Sequence, residues 1–207
     1  MKADHPYTQF LKRWRLWLLV LFVAFVVGLG LYIAWTRYSG TFHIVVKGDA
    51  YRSGQMDVDR MTRTLKLYGI KSILNLRGEN PTANWYQTEI ETAAKLKVLH
   101  YDRQLGSGRE LTLEQMDDLV ALLRQAPKPI LIHCVDGADR SGLVSALYRL
   151  ALQGNTPEEA HRELSIWYGH VPLFRPKVKA MDRSYWRYVS NHAAAVEQKL
   201  LPAPSLP

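Results

Sequence analysis

The sequence predicts an α/β domain, a central and mostly parallel sheet of four or five strands flanked by helices, preceded by one transmembrane helix. Three observations carry that expectation. Short apolar runs of strand length alternate with amphipathic helical stretches from residue 42 onward. The twenty residues Leu16–Trp35 contain no charge. One apolar strand, Pro129–His133, runs through a short loop straight into a helix. The chain has 207 residues, 47% hydrophobic and 22% charged, which excludes a disordered chain. Its single cysteine, Cys134, excludes a disulfide framework and every multi-cysteine zinc site, and neither a metal nor a cofactor is expected.

The mean hydropathy of -0.18 averages two unlike pieces. Twenty residues at helical rise span roughly 30 Å, the thickness of a bilayer's hydrocarbon core. Trp14, Trp17, Tyr32 and Trp35 lie near the two ends of the run, where amphipathic rings favour the interface. A cleaved leader with Gly28-Leu29-Gly30 as its small-x-small site is the rival reading, but the apolar run continues past Gly30. Lys2, Lys12, Arg13 and Arg15 against Asp4 give the short N-terminus a balance of +3, leaving +5 of the total +8 for the rest. Positive-inside logic keeps residues 1–15 in the cytoplasm and makes 16–35 a single-pass signal anchor in the inner membrane. The remainder is then extracytoplasmic, periplasmic in a Gram-negative cell. No basic run interleaved with aromatics appears, so nucleic acid is not an expected partner.

Residues 36–49 read as a linker and first strand, with the strand at Phe42–Val46, and 50–200 as the main domain. Asp57 caps a helix with Val58, Met61, Leu65 and Tyr68 apolar, stopped by Gly69. Ile70–Leu76 is a strand. Asn84–Leu96 is a helix with Trp85, Ile90, Ala93 and Ala94 on one side, and Val98–Tyr101 is the next strand. Thr112 to Gln115 fits a capping box for a helix reaching Arg124, with Met116, Leu119 and Leu123 inward. After Pro129–His133, a helix runs from Ser141 to Gln153 and ends at Gly154. Thr156-Pro157-Glu158-Glu159 caps another. The last helix, about Lys177–Leu200, carries Val178, Met181, Tyr185, Val189 and Val196 as a packing stripe, and 201–207 is a frayed tail.

The junction Ile130–Gly142 carries the chemistry. A loop of this length between a buried strand and a helix can turn successive amides of Val135, Asp136, Gly137, Ala138, Asp139 and Arg140 onto one point, an anion-binding nest. Arg140 would close it with a bidentate fork onto two phosphate oxygens. Cys134 sits at its base, beside a helix N-terminus and a guanidinium, a setting that favours a nucleophilic thiolate.

His133-Cys134 through Arg140-Ser141-Gly142 resembles the signature of the cysteine-dependent tyrosine phosphatase superfamily, in its small, bacterial, dual-specificity-like branch. Tyr51-Arg52-Ser53-Gly54-Gln55 and Leu74–Glu79 look like flanking elements of its atypical, plant-and-fungal-like subgroup, and the resemblance spans roughly residues 42–170. It implies a dual-specificity phosphatase-like fold and hydrolysis of phosphomonoesters: phosphotyrosine, with phosphoserine and phosphothreonine in reach. Cys134 would form a cysteinyl-phosphate, Arg140 would hold the phosphoryl oxygens, and Ser141 would hydrogen-bond the leaving sulfur. His133 would tie down the loop backbone, while Gly137 and Gly142 permit the turn and the close helix start. The general acid is expected on a loop about 30 residues before the cysteine, which points to Asp102. Asp139 is the alternative, because Cys134-x-Asp136-Gly137-x-Asp139-Arg140 resembles the loop of myotubularin-type phosphoinositide phosphatases. Trp167–Pro172 reads either as a pocket wall or as packing beneath the last helix, and Arg109 as a second phosphate contact or a solvated loop residue. The partners expected are a phosphorylated protein or an anionic phospholipid, and the membrane. A phosphoinositide- or phosphatidylglycerophosphate-like lipid is the rival substrate, and an inactive phosphate-binding module the rival class.

Overall fold

The computed structural model describes residues 6–39 and 41–192, which form two units, the first ending at Ser39. The first unit is one helix, α1 (Pro6–Ser39). Its stretch Arg13–Tyr32 is long and apolar enough to cross a membrane, and its side chains are exposed. The helix continues four residues into the segment read as linker, since nothing between Thr36 and Ser39 breaks a helix.

The second unit is a five-stranded sheet between two helical layers. The strands are β1 (His43–Val46), β2 (Ala50–Ser53), β3 (Ser72–Asn75), β4 (Leu99–Asp102) and β5 (Ile130–His133). Their spatial order is β1-β2-β5-β3-β4, all parallel except the edge strand β1, which turns back antiparallel onto β2. The helices are α2 (Val58–Leu67), α3 (Asn84–Lys95), α4 (Leu113–Gln125), α5 (Asp139–Gln153), α6 (Pro157–His161) and α7 (Lys179–Asn191).

Strand parity divides the core. Ala50, Leu74, Ile130 and Ile132 face the layer that includes α4, α5 and α7, with Met116, Leu123, Leu143, Leu147 and Tyr185 fully buried there. Tyr51, Ile73 and Leu131 face the thinner layer, with Met61 and Leu65 of α2 and Ala93 of α3. Strands buried on both faces read as continuous apolar runs, which is why β3 and β5 are plain in the sequence. The predicted caps form. Asp57 accepts from Arg60 N at 2.8 Å, and both Thr112–Gln115 and Thr156–Glu159 close reciprocal capping boxes.

Four details depart from the sequence expectations. β2 was not read as a strand, since a charged residue occupies the third of its four positions. The inward face of α3 is Tyr86, Glu89, Thr92 and Ala93 rather than a stripe through Ala94, because a buried carboxylate replaces an apolar residue in the period. Val58 is exposed, lying in the first turn of α2 at the open end of the sheet. Pro176–Val178 is a single 3₁₀ turn before α7, and Val196 with the rest of residues 193–200 lies outside the described residues.

Candidate active site

Parity extends one residue past β5. Ile130 and Ile132 face α4 and α5, so Cys134 does too, in contact with the larger core, while Leu131 and His133 point the other way. After Cys134 the chain turns through Gly137, whose φ of +72° favours glycine. A Cβ there would stand 2.4 Å from Gly54 N and 2.3 Å from Thr41 Oγ1, so no other residue fits. The Gly137 amide donates to Cys134 Sγ at 3.2 Å, and Ser141 Oγ stands 3.6 Å from the same sulfur. Among the described residues the amides of Val135, Asp136, Ala138, Asp139 and Arg140 have no hydrogen-bond partner, and Ala138 provides no side-chain cap for α5. These are the unsatisfied donors that make a helix N-terminus an anion site. The six positions read from sequence as phosphate-binding, Val135 to Arg140, thus follow the cysteine in one loop and helix start, with the Gly137 amide on its sulfur. Arg140 lies beside them. Its Nη1 donates to the carbonyls of Leu76 (3.4 Å) and Leu105 (3.3 Å), while its buried Nε has no protein partner.

The loop is held from beneath by Arg52, fully buried on β2 next to β5. Its Nη2 donates to Gly137 O (2.9 Å) and Ala138 O (2.7 Å), turning those carbonyls inward and leaving the amides outward. Its Nη1 donates to the Glu163 carbonyl (2.7 Å) and carboxylate (3.0 Å). Burial pulls the guanidinium below its ordinary range, and Glu163 opposes that pull. In the sequence Arg52 belongs to a flanking element with no assigned role; the signal for it is an arginine amid Ala-Tyr-Arg-Ser. Thr41 Oγ1 accepts from Gly54 N (2.9 Å) and donates to Asp136 O (2.8 Å), and Gln55 N donates to Val135 O (2.9 Å).

His133 does not tie down the loop backbone as expected. Its Nε2 lies 2.8 Å from Glu89 Oε1, because parity sends the side chain toward α3. The same oxygen meets His100 Nε2 at 2.8 Å, and Glu89 Oε2 accepts from Gln55 Nε2 at 2.9 Å. Burial works against the charge of Glu89, but His133, His100 and Gln55 outweigh it and hold the carboxyl well below the usual range. Arg77 continues the network, donating to Gln55 Oε1 at 2.8 Å and stacking 3.4 Å over the Trp85 ring. Trp85 and Glu89 help line a cavity of about 330 Å³ between α2 and α3.

The two aspartates differ in their surroundings. Asp102 ends β4 in register with Asn75, whose Nδ2 donates to Oδ1 at 2.7 Å; Tyr86 Oη donates to Oδ2 at 2.8 Å. Asp139 is buried, 2.7 Å from His170 Nδ1 and 3.4 Å from Arg175 Nη1. His170 Nε2 in turn meets Asp182, which also pairs with His161. Burial disfavours the His170 charge, yet Asp139 and Asp182 raise it to about 9. His170 therefore packs under α7, as one of the two readings had it, whereas Trp167 is neither pocket wall nor packing: it is 84% exposed. Arg109 is exposed on the rim of a cavity of about 570 Å³ that also includes Leu105, whose carbonyl binds Arg140. Among the described residues no group of His, Cys, Asp and Glu is placed to hold a metal.

The family described as DSP-PTPase phosphatase fused to NAD+ Kinase matches residues 47–171, from the turn before β2 to the loop beyond α6. The chain belongs to that family. Its fold is that of the cysteine-dependent phosphatases of the dual-specificity type. TpbA of P. aeruginosa superposes with a TM-score of 0.57 at 17% identity, over 78% of this chain and 89% of that one. The catalytic core of SIW14 from S. cerevisiae, described as a PP-IP phosphatase, gives 0.58 at 23% identity over 78% and 94%. PTPMT1 gives 0.52 at 16% over 74% and 99%. No curated protein sequence matches the chain.

Proposed function

We propose that the protein hydrolyses phosphomonoesters, phosphotyrosine foremost, through a cysteinyl-phosphate on Cys134. The observation that carries this is a cysteine whose sulfur is met by the Gly137 amide and Ser141 hydroxyl, at the foot of a loop whose other amides and Arg140 Nε have no partner among the described residues. A phosphoryl group seated there is stabilised by the amides and guanidinium as the transition state spreads its negative charge over the equatorial oxygens. The Sγ–P bond forms as the P–O ester bond breaks in line, and Asp102 gives its proton to the departing oxygen. Water then cleaves the Sγ–P bond, returning a proton to Asp102, while Ser141 Oγ–H stabilises the departing sulfur.

Among the similar structures, TpbA has been crystallised with pTyr and SIW14 is a PP-IP phosphatase. Phosphotyrosine is the preferred substrate, because Asp136 is exposed on the loop, where a highly anionic ring substrate would meet its carboxylate, and Arg140 is the loop's one cation. The test is turnover of an aryl phosphate by the full chain. Cys134→Ser is expected to abolish it, and turnover at the wild-type level would refute the proposal.

A lipid phosphomonoester is the second reading, favoured by the Arg13–Tyr32 helix in the same chain. In both readings the helix is an inner-membrane anchor, with the N-terminus in the cytoplasm and the catalytic unit outside it, as the flanking charges favour. Turnover of phosphotyrosine peptides against phosphatidylglycerophosphate in vesicles separates the substrates, and background rates on vesicles would discard the lipid.

A further inference from the structure

The segment between α6 and α7 contributes little to the core, yet among the described residues of the catalytic unit it holds the three most exposed large apolar side chains, Trp167, Leu173 and Phe174. Ile166 is 62% exposed, Trp167 84%, Leu173 80% and Phe174 81%. The segment is nevertheless well anchored. His170 is buried against Asp139 and Asp182, Tyr168 stacks 4.7 Å over the Arg52 guanidinium, and the Phe174 and Arg175 amides both donate to Val171 O. The apolar tips are thus held outward on a fixed frame, and none of the described residues buries them.

Charge and position suggest what covers them. From Leu164 to Met181 there is no acidic residue, while Arg175, Lys177 and Lys179 are all exposed. Aromatic and leucine side chains interleaved with basic ones have the composition of segments that sit at the headgroup level of a bilayer. The patch borders the mouth of the active site: Arg175 Nη1 lies 3.8 Å from Asp136 and 3.4 Å from Asp139. The chain also enters the catalytic unit at this rim. Thr41 Oγ1 donates to the Asp136 carbonyl, and the His43 ring meets Tyr168 edge-on at 4.9 Å. In sequence, α1 ends at Ser39, two residues before Thr41, and its Arg13–Tyr32 stretch is long and apolar enough to cross a membrane.

We propose that Trp167, Leu173 and Phe174, ringed by Arg175, Lys177 and Lys179, form a docking surface for an anionic bilayer that sets the catalytic mouth at the lipid headgroups. The surface serves a lipid-borne or a protein-borne phosphate equally, so it does not rest on the choice of substrate.

The experiment uses the full chain with Cys134→Ser, so that a single introduced cysteine carries a nitroxide, in nanodiscs of phosphatidylcholine alone or mixed with phosphatidylglycerol. One label replaces Leu173. The control replaces Leu67, 72% exposed at the far end of α2, where the connection from β2 to the parallel β3 has run back to the end of the strands opposite the phosphate loop. Both sites are exposed, so neither label disturbs the core. In discs with phosphatidylglycerol, the ratio of oxygen to nickel-chelate accessibility at residue 173 is expected to be severalfold that at 67. It is expected to fall toward the control value in phosphatidylcholine alone, and when Lys177→Gln and Lys179→Gln are added. A label at 173 as water-accessible as that at 67 would overturn the proposal. So would shielding from both reagents, which marks a protein partner or a second copy, and so would equal insertion in both lipids, which removes the anionic surface.

Discussion

Two aspartates border the phosphate loop, and their partners separate their roles. Asp139 lies between His170, whose charge persists to about pH 9, and the Arg175 guanidinium. Both of its oxygens are thus engaged within the protein, Oδ1 by His170 and Oδ2 by Arg175. Asp102 accepts from the Asn75 amide and the Tyr86 hydroxyl, with His100 Nδ1 3.4 Å from its Oδ2, and its side chain keeps 26% of its surface exposed. It stands two strands from β5, roughly 10 Å at sheet spacing, within reach of a bulky leaving group rather than of the sulfur itself. Asp102→Asn is expected to slow an alkyl phosphate by about 10² to 10⁴ while scarcely affecting a nitrophenyl phosphate. Asp139→Asn is expected to slow both substrates alike, through the loop. Steady-state rates on the two substrates decide between them, and the reverse pattern would move the acid to Asp139. The sequence placed both residues near the site but said nothing of their neighbours, because pairing across β3–β4 and with residue 170 is long-range.

At the scale of elements, the clearest gap between sequence and structure is β2. Periodicity finds strands through apolar residues, and Ala-Tyr-Arg-Ser spends its central position on an arginine that lies inside the protein. What makes that arginine tolerable is Glu163, well over a hundred residues later, together with two loop carbonyls. The same holds for Glu89 on α3, an acidic residue on an inward face whose partners His100 and His133 come from β4 and β5. By contrast β5, the phosphate loop and α5 were legible, since a buried strand, a cysteine, a positive-φ glycine and an arginine are local facts. The helix caps were legible for the same reason. Arg52→Met removes one side of a buried pair and leaves Glu163 beside Arg149 alone, at 3.3 Å. It is expected to cost about 3 kcal/mol, lowering the melting temperature by roughly 6 °C or more. A calorimetric midpoint within a degree of wild type would show that the loop does not depend on β2 for its shape.

For the molecule as a whole, buried ionic networks set the pH range over which the catalytic unit is most stable. Glu89 is held below its ordinary value, so its stabilisation is present above about pH 4.5 and is lost as acid protonates it. His170 faces Asp139, Asp182 and, through the loop aspartates, Arg175, and it is raised to about 9. Its stabilisation is complete below the ordinary imidazole value near 6.5 and is lost as pH rises through 9. Stability is therefore expected to fall between about pH 7 and 9.5, and His170→Asn to be less stable at pH 6.5 with a flatter decline. Melting temperatures across that interval check this, and an unchanged slope in the variant would remove His170 as the cause. The charge of +8 and the single cysteine, both read from composition, acquire places in the same picture. Part of the charge flanks the apolar helix, part rings the catalytic mouth, and the cysteine lies at the foot of the loop. The central claim is a covalent phosphate on that cysteine. Rapid acid quench of the full chain during turnover of an aryl phosphate, followed by peptide mass spectrometry, tests it most directly. One phosphoryl group on the peptide containing Cys134, absent from Cys134→Ser, is the result expected; an unmodified Cys134 during sustained turnover would contradict it.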